Sequence, residues 1–529
     1  LAPELPIAGP PPKTAVKVLH ITRTLPQEML GPMYLSRAVK DAGHEMKCIL
    51  VPDPLWLKKI KDYKPDVITW SLMTGNHKAI FDVNRILKSK MDFFSLMGGP
   101  HVTFVPDCVK QPEIDAVCLG EGELAIVELL DKMEAGEDIR NIENLVFADP
   151  DAPDGMHRNP LRPLIQDLDA LGFPDRSLLY DAGPIYANSP RKVIVTQRGC
   201  PMMCSFCFHH AWKRTYGATN KQYVRKRSVS HVIAEVQDIR SKYPLDFVHF
   251  LDDIFNLKDS WLEEFADRWP KEVGLPFDCI LMANIVKEKQ IKALKRAGCV
   301  YARIAFEAAS DFVRNTVFRK NTEVEQLRNA ARWIKENDIR LGSLNMLGGP
   351  GGTIDDDFET IKLNIECGVD HPLASIVQPY PEFDLNDITE GLGVAVAEYD
   401  DFPANFNREA TIQVEDKDQI ENLHKWFPIL VRFPKLLPFA RKTLGKKWLN
   451  KPLLIMYMLY SEWLVTEQNV IYNKAQGIRN PLKWAPIDFI GRVIVKGVIR
   501  VFSVLGVKFV HRWATKLEMG DERVQAHME

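Results

Sequence analysis

Residues 196–210 read TQRGCPMMCSFCFHH and place Cys200, Cys204 and Cys207 at CxxxCxxC spacing, directly after the strand-type run VIVT at 193–196. Three thiolates on one loop can hold three irons of a cubane cluster and leave the fourth open to an exchangeable ligand, which a closed four-cysteine site cannot do. Structural zinc is the alternative metal; it wants a fourth ligand and usually pairs CxxC units, and His209 and His210 are the neighbours that would have to serve. The chain carries nine cysteines, an odd number in a long sequence, so a secreted disulfide framework is a poorer reading than a reducing interior with metal ligation. The cytoplasm is the expected compartment, and residues 1–12, rich in proline with no basic start or apolar core, do not read as a signal peptide.

Downstream of the cysteines, strand-like runs recur at 247–251 (FVHFL), 280–283 (ILMA), 301–306 (YARIAF), 341–346 (LGSLNM) and 374–378 (ASIVQ), separated by helical segments. With 193–196 they make six βα units, so a partial (β/α)6 barrel is expected over 186–390, its open C-terminal face holding the ligands. Upstream, residues 15–150 alternate apolar strand runs (16–22, 47–51, 66–71, 94–97, 116–119) with helical ones (31–43, 77–90), a doubly wound parallel α/β pattern. Ligands of such sheets sit beyond the carboxyl ends of the strands. Those positions hold SLMTG at 71–75, GGPH at 98–101 and GEGE at 120–123. Turns alone would also explain these glycines, and no GxGxxG opens the first helix, which counts against a dinucleotide. A connector is expected at 151–185, which carries Pro153, Pro160, Pro163 and Pro174, with 1–14 as a free N-terminus and 391–529 as a mostly helical C-terminal segment.

At 529 residues the chain exceeds one compact core. Its 46% hydrophobic and 26% charged residues argue against disorder, collagen-like repeats and a polytopic membrane protein.

The cysteine motif, with Phe206 before its last cysteine, is the signature of the radical SAM superfamily, and its surroundings resemble the cobalamin-dependent branch. Strand, GGPH, strand, GEGE over residues 15–150 resembles that branch's cobalamin-binding domain. The resemblance implies a [4Fe-4S] cluster on Cys200, Cys204 and Cys207, S-adenosyl-L-methionine (SAM) and cobalamin. It points to Ser71, Thr74, Gly98, Gly99 and Gly120 for cobalamin, and to Phe206, Asp252, Asp253, Glu307, Arg319 and Asn345 for cluster and SAM. Helix capping and loop solvation are the plain alternative for Asp252, Asp253 and Arg319. No DxHxxG motif is present, so a cobalamin without a lower histidine ligand is implied. The GGPGG turn at 348–352 is similar to the family's GxPGET turn but has Gly352-Thr353 where Glu-Thr is usual; its backbone is expected near adenosine. The implied chemistry is a 5′-deoxyadenosyl radical that takes hydrogen from an unactivated carbon, followed by methyl delivery from cobalamin, with an external flavodoxin- or ferredoxin-type electron donor. Relatives with the same two domains carry out oxidative cyclisation or rearrangement, so that outcome stays open beside methylation. A non-catalytic cobalamin sensor or carrier is a third reading, which the intact cysteine triad argues against.

The C-terminal segment splits the charge. Residues 421–512 hold sixteen Lys or Arg and four Asp or Glu, a balance of +12 within a total of −2, which leaves −14 for the remainder. The run 486–510 has Asp488, Arg492, Lys496 and Arg500 on one flank if helical. Two readings stand: a peripheral contact of 421–512 with the inner membrane face, or a basic cap on the barrel with its apolar face inside. Family members acting on hopanoids and porphyrin esters make a lipid-like small molecule a reasonable substrate. The aromatics lie within apolar runs, which disfavours nucleic acid.

Overall fold

The computed structural model describes residues 15–23, 28–51, 53, 55–397, 402–403, 410–412 and 416–475. The expected N-terminal extension 1–14 and the amphipathic run 486–510 lie outside these residues. The chain forms two compact units: residues 15–73, 77–165 and 171–187, and residues 74–76, 166–170 and those from 188 onward.

The first unit is a seven-stranded sheet of β1 (Lys17–Arg23), β2 (Glu45–Val51), β3 (Val67–Ser71), β4 (Phe94–Gly98), β5 (Ala116–Cys118), β6 (Leu145–Ala148) and β7 (Met156–Arg158), in spatial order 2-1-3-4-5-6-7. Strands β2 to β5 run parallel, and β6 and β7 add antiparallel. The order 2-1-3 puts a topological switch at β1. Apolar runs such as VITWS at β3 bury almost every residue because helices cover both faces of such a sheet. The stretch expected as a connector thus carries β7 and the short helices Ser177–Tyr180 and Pro184–Ala187.

The second unit is a six-stranded parallel sheet, curled into a half-barrel, of β8 (Arg191–Ile194), β11 (Phe247–Phe250), β12 (Phe277–Leu281), β13 (Cys299–Glu307), β14 (Arg340–Leu347) and β15 (His371–Ile376), in that spatial order. A two-stranded ladder, β9 (Gln197–Arg198) and β10 (Arg225–Lys226), stands beside it. The six strands fall on the runs read from sequence. Successive side chains alternate faces. Ile194, Val248, Phe250, Cys279, Leu281, Ala302, Ile304 and Phe306 face the helices and share one apolar core. The opposite parity carries His249, Asp278, Tyr301 and Arg303: His249 bonds to Asp278, and Arg303 lies 3.3 Å from the His249 ring nitrogen.

Helix Lys417–Arg432 packs on edge strand β15 and on helix Ile354–Glu366. It sends Ile420, Leu423, Trp426, Phe427 and Leu430 into the common core, and His424 Nε2 donates to the Ala374 carbonyl on β15 at 2.9 Å. This part of the basic segment is therefore a cap with its apolar face inside the protein. None of the helices among the described residues is long and apolar enough to cross a membrane.

The GGPGG turn has a packing reason for its glycines. A Cβ on Gly349 or Gly352 would lie 2.4 or 2.8 Å from the Val313 side chain, so the turn is pressed onto the π-helical turn Phe312–Val317. Its first amide, Gly348 N–H, donates to the buried Asp357 carboxylate at 3.0 Å. Burial pushes the Asp357 carboxyl up to about 8, against the opposing pull of that amide. In the unfolded chain this group ionises near pH 4, so folding at intermediate pH takes up a proton and stability falls as pH rises from about 4 to about 8. Asp357→Asn keeps an acceptor for Gly348 and removes the proton uptake. The variant is expected to gain about 1–3 kcal/mol at pH 8 over wild type and to flatten the pH profile of urea unfolding; parallel profiles for the two proteins would defeat this account.

Candidate active site

The cysteine loop leaves β9 through Gly199, whose φ is +86° and where a Cβ would sit 2.2 Å from the Tyr223 carbonyl oxygen, so only glycine fits. Cys200 packs among Ile254 and Leu257, which follow β11, Met282 and Ile285, which follow β12, and Met202 of its own loop. Ser205 clamps the middle of the loop. Its N–H donates to the Phe318 carbonyl at 3.1 Å, its Oγ to the Val317 carbonyl at 2.6 Å, and its own carbonyl accepts from Leu385 N–H at 3.0 Å. Phe206 meets Phe318 edge-on at 5.4 Å. Cys200 and Cys204 are buried, Cys207 is half-buried, and all three are free thiols. Burial pushes Cys200 up to about 11 and also raises Cys204 and Cys207.

The neighbours divide by what already occupies them. Asp252, after β11, is fully buried and accepts from Thr196 N–H at 2.8 Å and Thr196 Oγ at 3.0 Å, so it ties the ends of β8 and β11 together. Asp253 is half exposed and holds His209 Nε2 at 2.7 Å, while His209 Nδ1 lies 2.8 Å from the Tyr223 hydroxyl. A carboxylate only accepts, so in the neutral ring Nε2 carries the proton and Nδ1 takes the tyrosine hydrogen. Both nitrogens of His209 are therefore spent, and it is not a fourth metal ligand. Glu307, at the end of β13 with φ +59°, pairs with Lys320 Nζ at 2.7 Å; both are buried. Lys320 also stands 5.9 Å over the Phe206 ring, and its charge opposes the rise of the Cys200 and Cys204 thiols.

Two expected site residues lie elsewhere. Asn345 bonds to Ser343 and Asn364 and to the Leu373 carbonyl; Asn364 belongs to helix Ile354–Glu366, so Asn345 faces the helix layer and not the barrel interior. Arg319, with φ +51°, is exposed and pairs with Asp384 at 2.6 Å, alongside Arg214 and His210.

In the first unit Ser71, Gly98 and Gly120 gather at the carboxyl ends of the neighbouring strands β3, β4 and β5, and Thr74 falls among residues 74–76 of the second unit. Gly99, with φ +97°, cannot change, because a Cβ would lie 2.8 Å from the Leu72 carbonyl oxygen. Gly98 differs. Its nearest atoms would be 3.9 Å from a Cβ, so no packing contact demands glycine, and the missing side chain leaves room at the sheet's end. Gly120 N–H donates to Thr103 Oγ at 3.1 Å, which in turn donates to the Gly99 carbonyl at 3.0 Å and locks the loops together. His101 of GGPH is buried, stacked on His77 at 4.2 Å.

The Radical SAM superfamily profile matches residues 194–363, and the B12 binding domain profile matches residues 16–130. The chain is 31% identical to the uncharacterized methyltransferase PH0819 of Pyrococcus horikoshii over 392 residues, 70% of this chain and 80% of that protein. The chain belongs to the cobalamin-dependent radical SAM enzymes. It is also 27% identical to the anaerobic magnesium-protoporphyrin IX monomethyl ester cyclase of Rubrivivax gelatinosus, covering 66% of this chain and 62% of the cyclase. Its fold is that of the cobalamin-dependent S-adenosylmethionine radical enzyme OxsB bound to aqua-cobalamin, with a TM-score of 0.65 at 16% identity over 97% of this chain and 81% of that one.

Enzymes of this family use a [4Fe-4S] cluster, SAM and cobalamin, and the residues present fit them. Three clustered free thiols, with His209 held by Asp253 and Tyr223 and His210 Nε2 turned to Asp384 at 3.2 Å, make an open-iron donor set. Thiols raised by burial become thiolates when a metal replaces the proton, and the Lys320 ammonium then offsets their charge. Lys320 escaped the sequence reading although Arg319 beside it was singled out; charge alone does not separate two adjacent cations. Lys320→Met leaves Glu307 buried without its partner and is expected to cost about 3–5 kcal/mol, while adding Glu307→Gln recovers most of that loss. Equal unfolding free energies for the single and double variants would refute the pairing.

Proposed function

We propose that this radical SAM enzyme transfers a methyl group to an unactivated carbon of a hydrophobic, lipid-like small molecule. The observation that carries the radical part is the set of three free thiols on one loop, two buried and one half-buried, with His209 already held by Asp253 and Tyr223. The relationship to a methyltransferase across both cofactor domains supports the methyl part, and the porphyrin ester in the cyclase's name supports a hydrophobic substrate. When bound, the cluster and cobalamin supply the electron, radical and methyl chemistry, with electrons from an external flavodoxin- or ferredoxin-type donor.

This chain's residues bind, orient and exclude water. Cys200, Cys204 and Cys207 would hold the cluster, and Phe206 and Lys320, 5.9 Å from each other, would supply an apolar and a cationic neighbour to the cysteine loop. Asp253, steadied by His209, offers a half-exposed carboxylate suited to an ammonium group such as that of SAM. Glu307 shares its charge with Lys320, so a polar ribose contact there would be neutral overall. Ser71, Thr74, Gly98, Gly99 and Gly120 receive cobalamin. Oxidative cyclisation without methyl transfer is the second reading, favoured by the relationship to the cyclase.

Anaerobically reconstituted protein is expected to be brown, to bind iron and cobalamin, and to release 5′-deoxyadenosine from SAM under reduction. Cys204→Ala is expected to lose the iron and the 5′-deoxyadenosine together. With methyl-deuterated SAM, label in the product supports methylation, whereas a modified product without label establishes the cyclase-type outcome.

A further inference from the structure

Between Glu421 and Glu462 there is no acidic residue, while eight Lys or Arg occur. The segment in the middle of this stretch, residues 432–452, has two sides of opposite character. It runs from the end of helix Lys417–Arg432 through the turn Pro434–Leu436, the short helix Leu437–Thr443 and the turn Lys447–Leu449 into helix Asn450–Ala475. Its inner side is fastened. Ala440 and Leu444, with Leu453 just past its end, belong to the core of the second unit, and Asn422 Nδ2 donates to the Leu444 carbonyl at 2.9 Å and to Asn450 Oδ1 at 2.8 Å.

Its exposed side chains include Phe433, Phe439 and Trp448, exposed by 49%, 51% and 71%; the Phe433 ring meets Tyr460 edge-on at 6.4 Å and the Phe439 ring meets Trp426 at 6.1 Å, so their free faces are turned to water. Around them Lys435, Lys442, Lys446 and Lys451 are exposed and form no ion pair among the described residues; Arg441 is committed to Asp355, and Lys447 reaches Asp418 only at 3.8 Å. Exposed aromatic bodies set among unpaired cations, on a scaffold held from beneath, match an interface whose outer layer is anionic and whose depth is apolar. A stacking platform for single-stranded nucleic acid would present its aromatics on an open groove or sheet; here they project from short helical turns bounded by Pro434, Pro438 and Pro452.

We propose that residues 432–452 dock the enzyme onto the surface of an anionic lipid bilayer, with Phe433, Phe439 and Trp448 entering the headgroup layer and the lysines pairing with lipid phosphates. The proposal rests on the reading of a lipid-like substrate, which such docking would deliver, but its test reads binding and not turnover. Full-length protein is floated with vesicles of phosphatidylcholine alone and of equal parts phosphatidylcholine and phosphatidylglycerol. Flotation with the anionic vesicles only, weakening as salt rises, is expected. Phe439→Ser/Trp448→Ser and Lys442→Glu/Lys446→Glu are each expected to weaken it by roughly tenfold, with melting temperature and iron content unchanged. The proposal is overturned by absence of flotation, by equal flotation with neutral vesicles, or by flotation that both double variants retain, which would assign it to another part of the chain. It is overturned equally if the variants abolish self-association or binding of a single-stranded oligonucleotide while leaving flotation intact. Retained flotation in a protein that makes no 5′-deoxyadenosine would count against the catalytic reading alone.

Discussion

A loop that draws three thiols in from water cannot leave its own buried backbone groups unpaired, and much of the irregular structure in the second unit answers that constraint. Ser205 is the point where the two needs meet. The π-helical turn Phe312–Val317 ends with carbonyls that have no partner within it, as every helix end does. Val317 and Phe318 offer those carbonyls to the Ser205 hydroxyl and amide. One short segment thus completes two structures that would each be unsatisfied alone. The glycines at 349 and 352 let the next turn close over the same segment, so the packing of the GGPGG turn, the π turn and the cysteine loop is one continuous contact.

Charge around this loop is sorted by burial. Lys320 and Glu307 touch, and the lysine's hold on its proton rises despite complete burial. Lys226 and Asp252 are also buried and near each other, yet Lys226 is lowered to about 8 and Asp252 raised to about 6. Desolvation outweighs the attraction in the second pair, even with the opposing pull of the Thr196 bonds on Asp252, because Lys226 Nζ makes no hydrogen bond to that carboxylate and faces the Trp261 ring at 4.1 Å. Lys320 is therefore the fixed positive charge beside the thiols. Its place on a strained stretch, between Arg319 and Asn321, both at positive φ, shows backbone conformation being used to bring it there.

Strands β1 to β5 were legible because a parallel sheet covered on both faces needs near-continuous apolar runs, which stand out between helical segments; in the second unit the helix-facing positions supplied the apolar signal while the other parity carries His249, Asp278, Tyr301 and Arg303. β6 and β7 were missed: both are short and antiparallel, LVFA at 145–148 leads into no helical run that would mark a βα unit, and MHR at 156–158 is set among prolines and glycines. At the site, the cysteines were legible from spacing alone. Asn345 was misplaced by parity: adjacent positions on a strand face opposite ways, and nothing in LGSLNM says which residue looks inward. The division of labour between Asp252 and Asp253 was equally hidden, since only the partner of each carboxylate, Thr196 or His209, tells a bracket from an available group.

The basic C-terminal segment shows why a single property of a stretch can serve two ends. Helix Lys417–Arg432 buries Trp426 and Phe427 against the barrel, so an inward-facing cap is formed with large aromatics to spare. A cap accounts for the covered faces of Phe433 and Phe439, against Tyr460 and Trp426, but gives no reason to leave half of each ring and most of Trp448 in water. Full burial of such side chains is worth about 1.5–3 kcal/mol each, and polar residues in their place would forgo nothing that the cap requires. The core supplies the rigidity through Ala440, Leu444 and Leu453, and the outer side is then free to keep an unfavourable exposure. The positive charge that the total of −2 conceals lies in this segment, as it must if the exposed aromatics are to meet an anionic surface rather than each other.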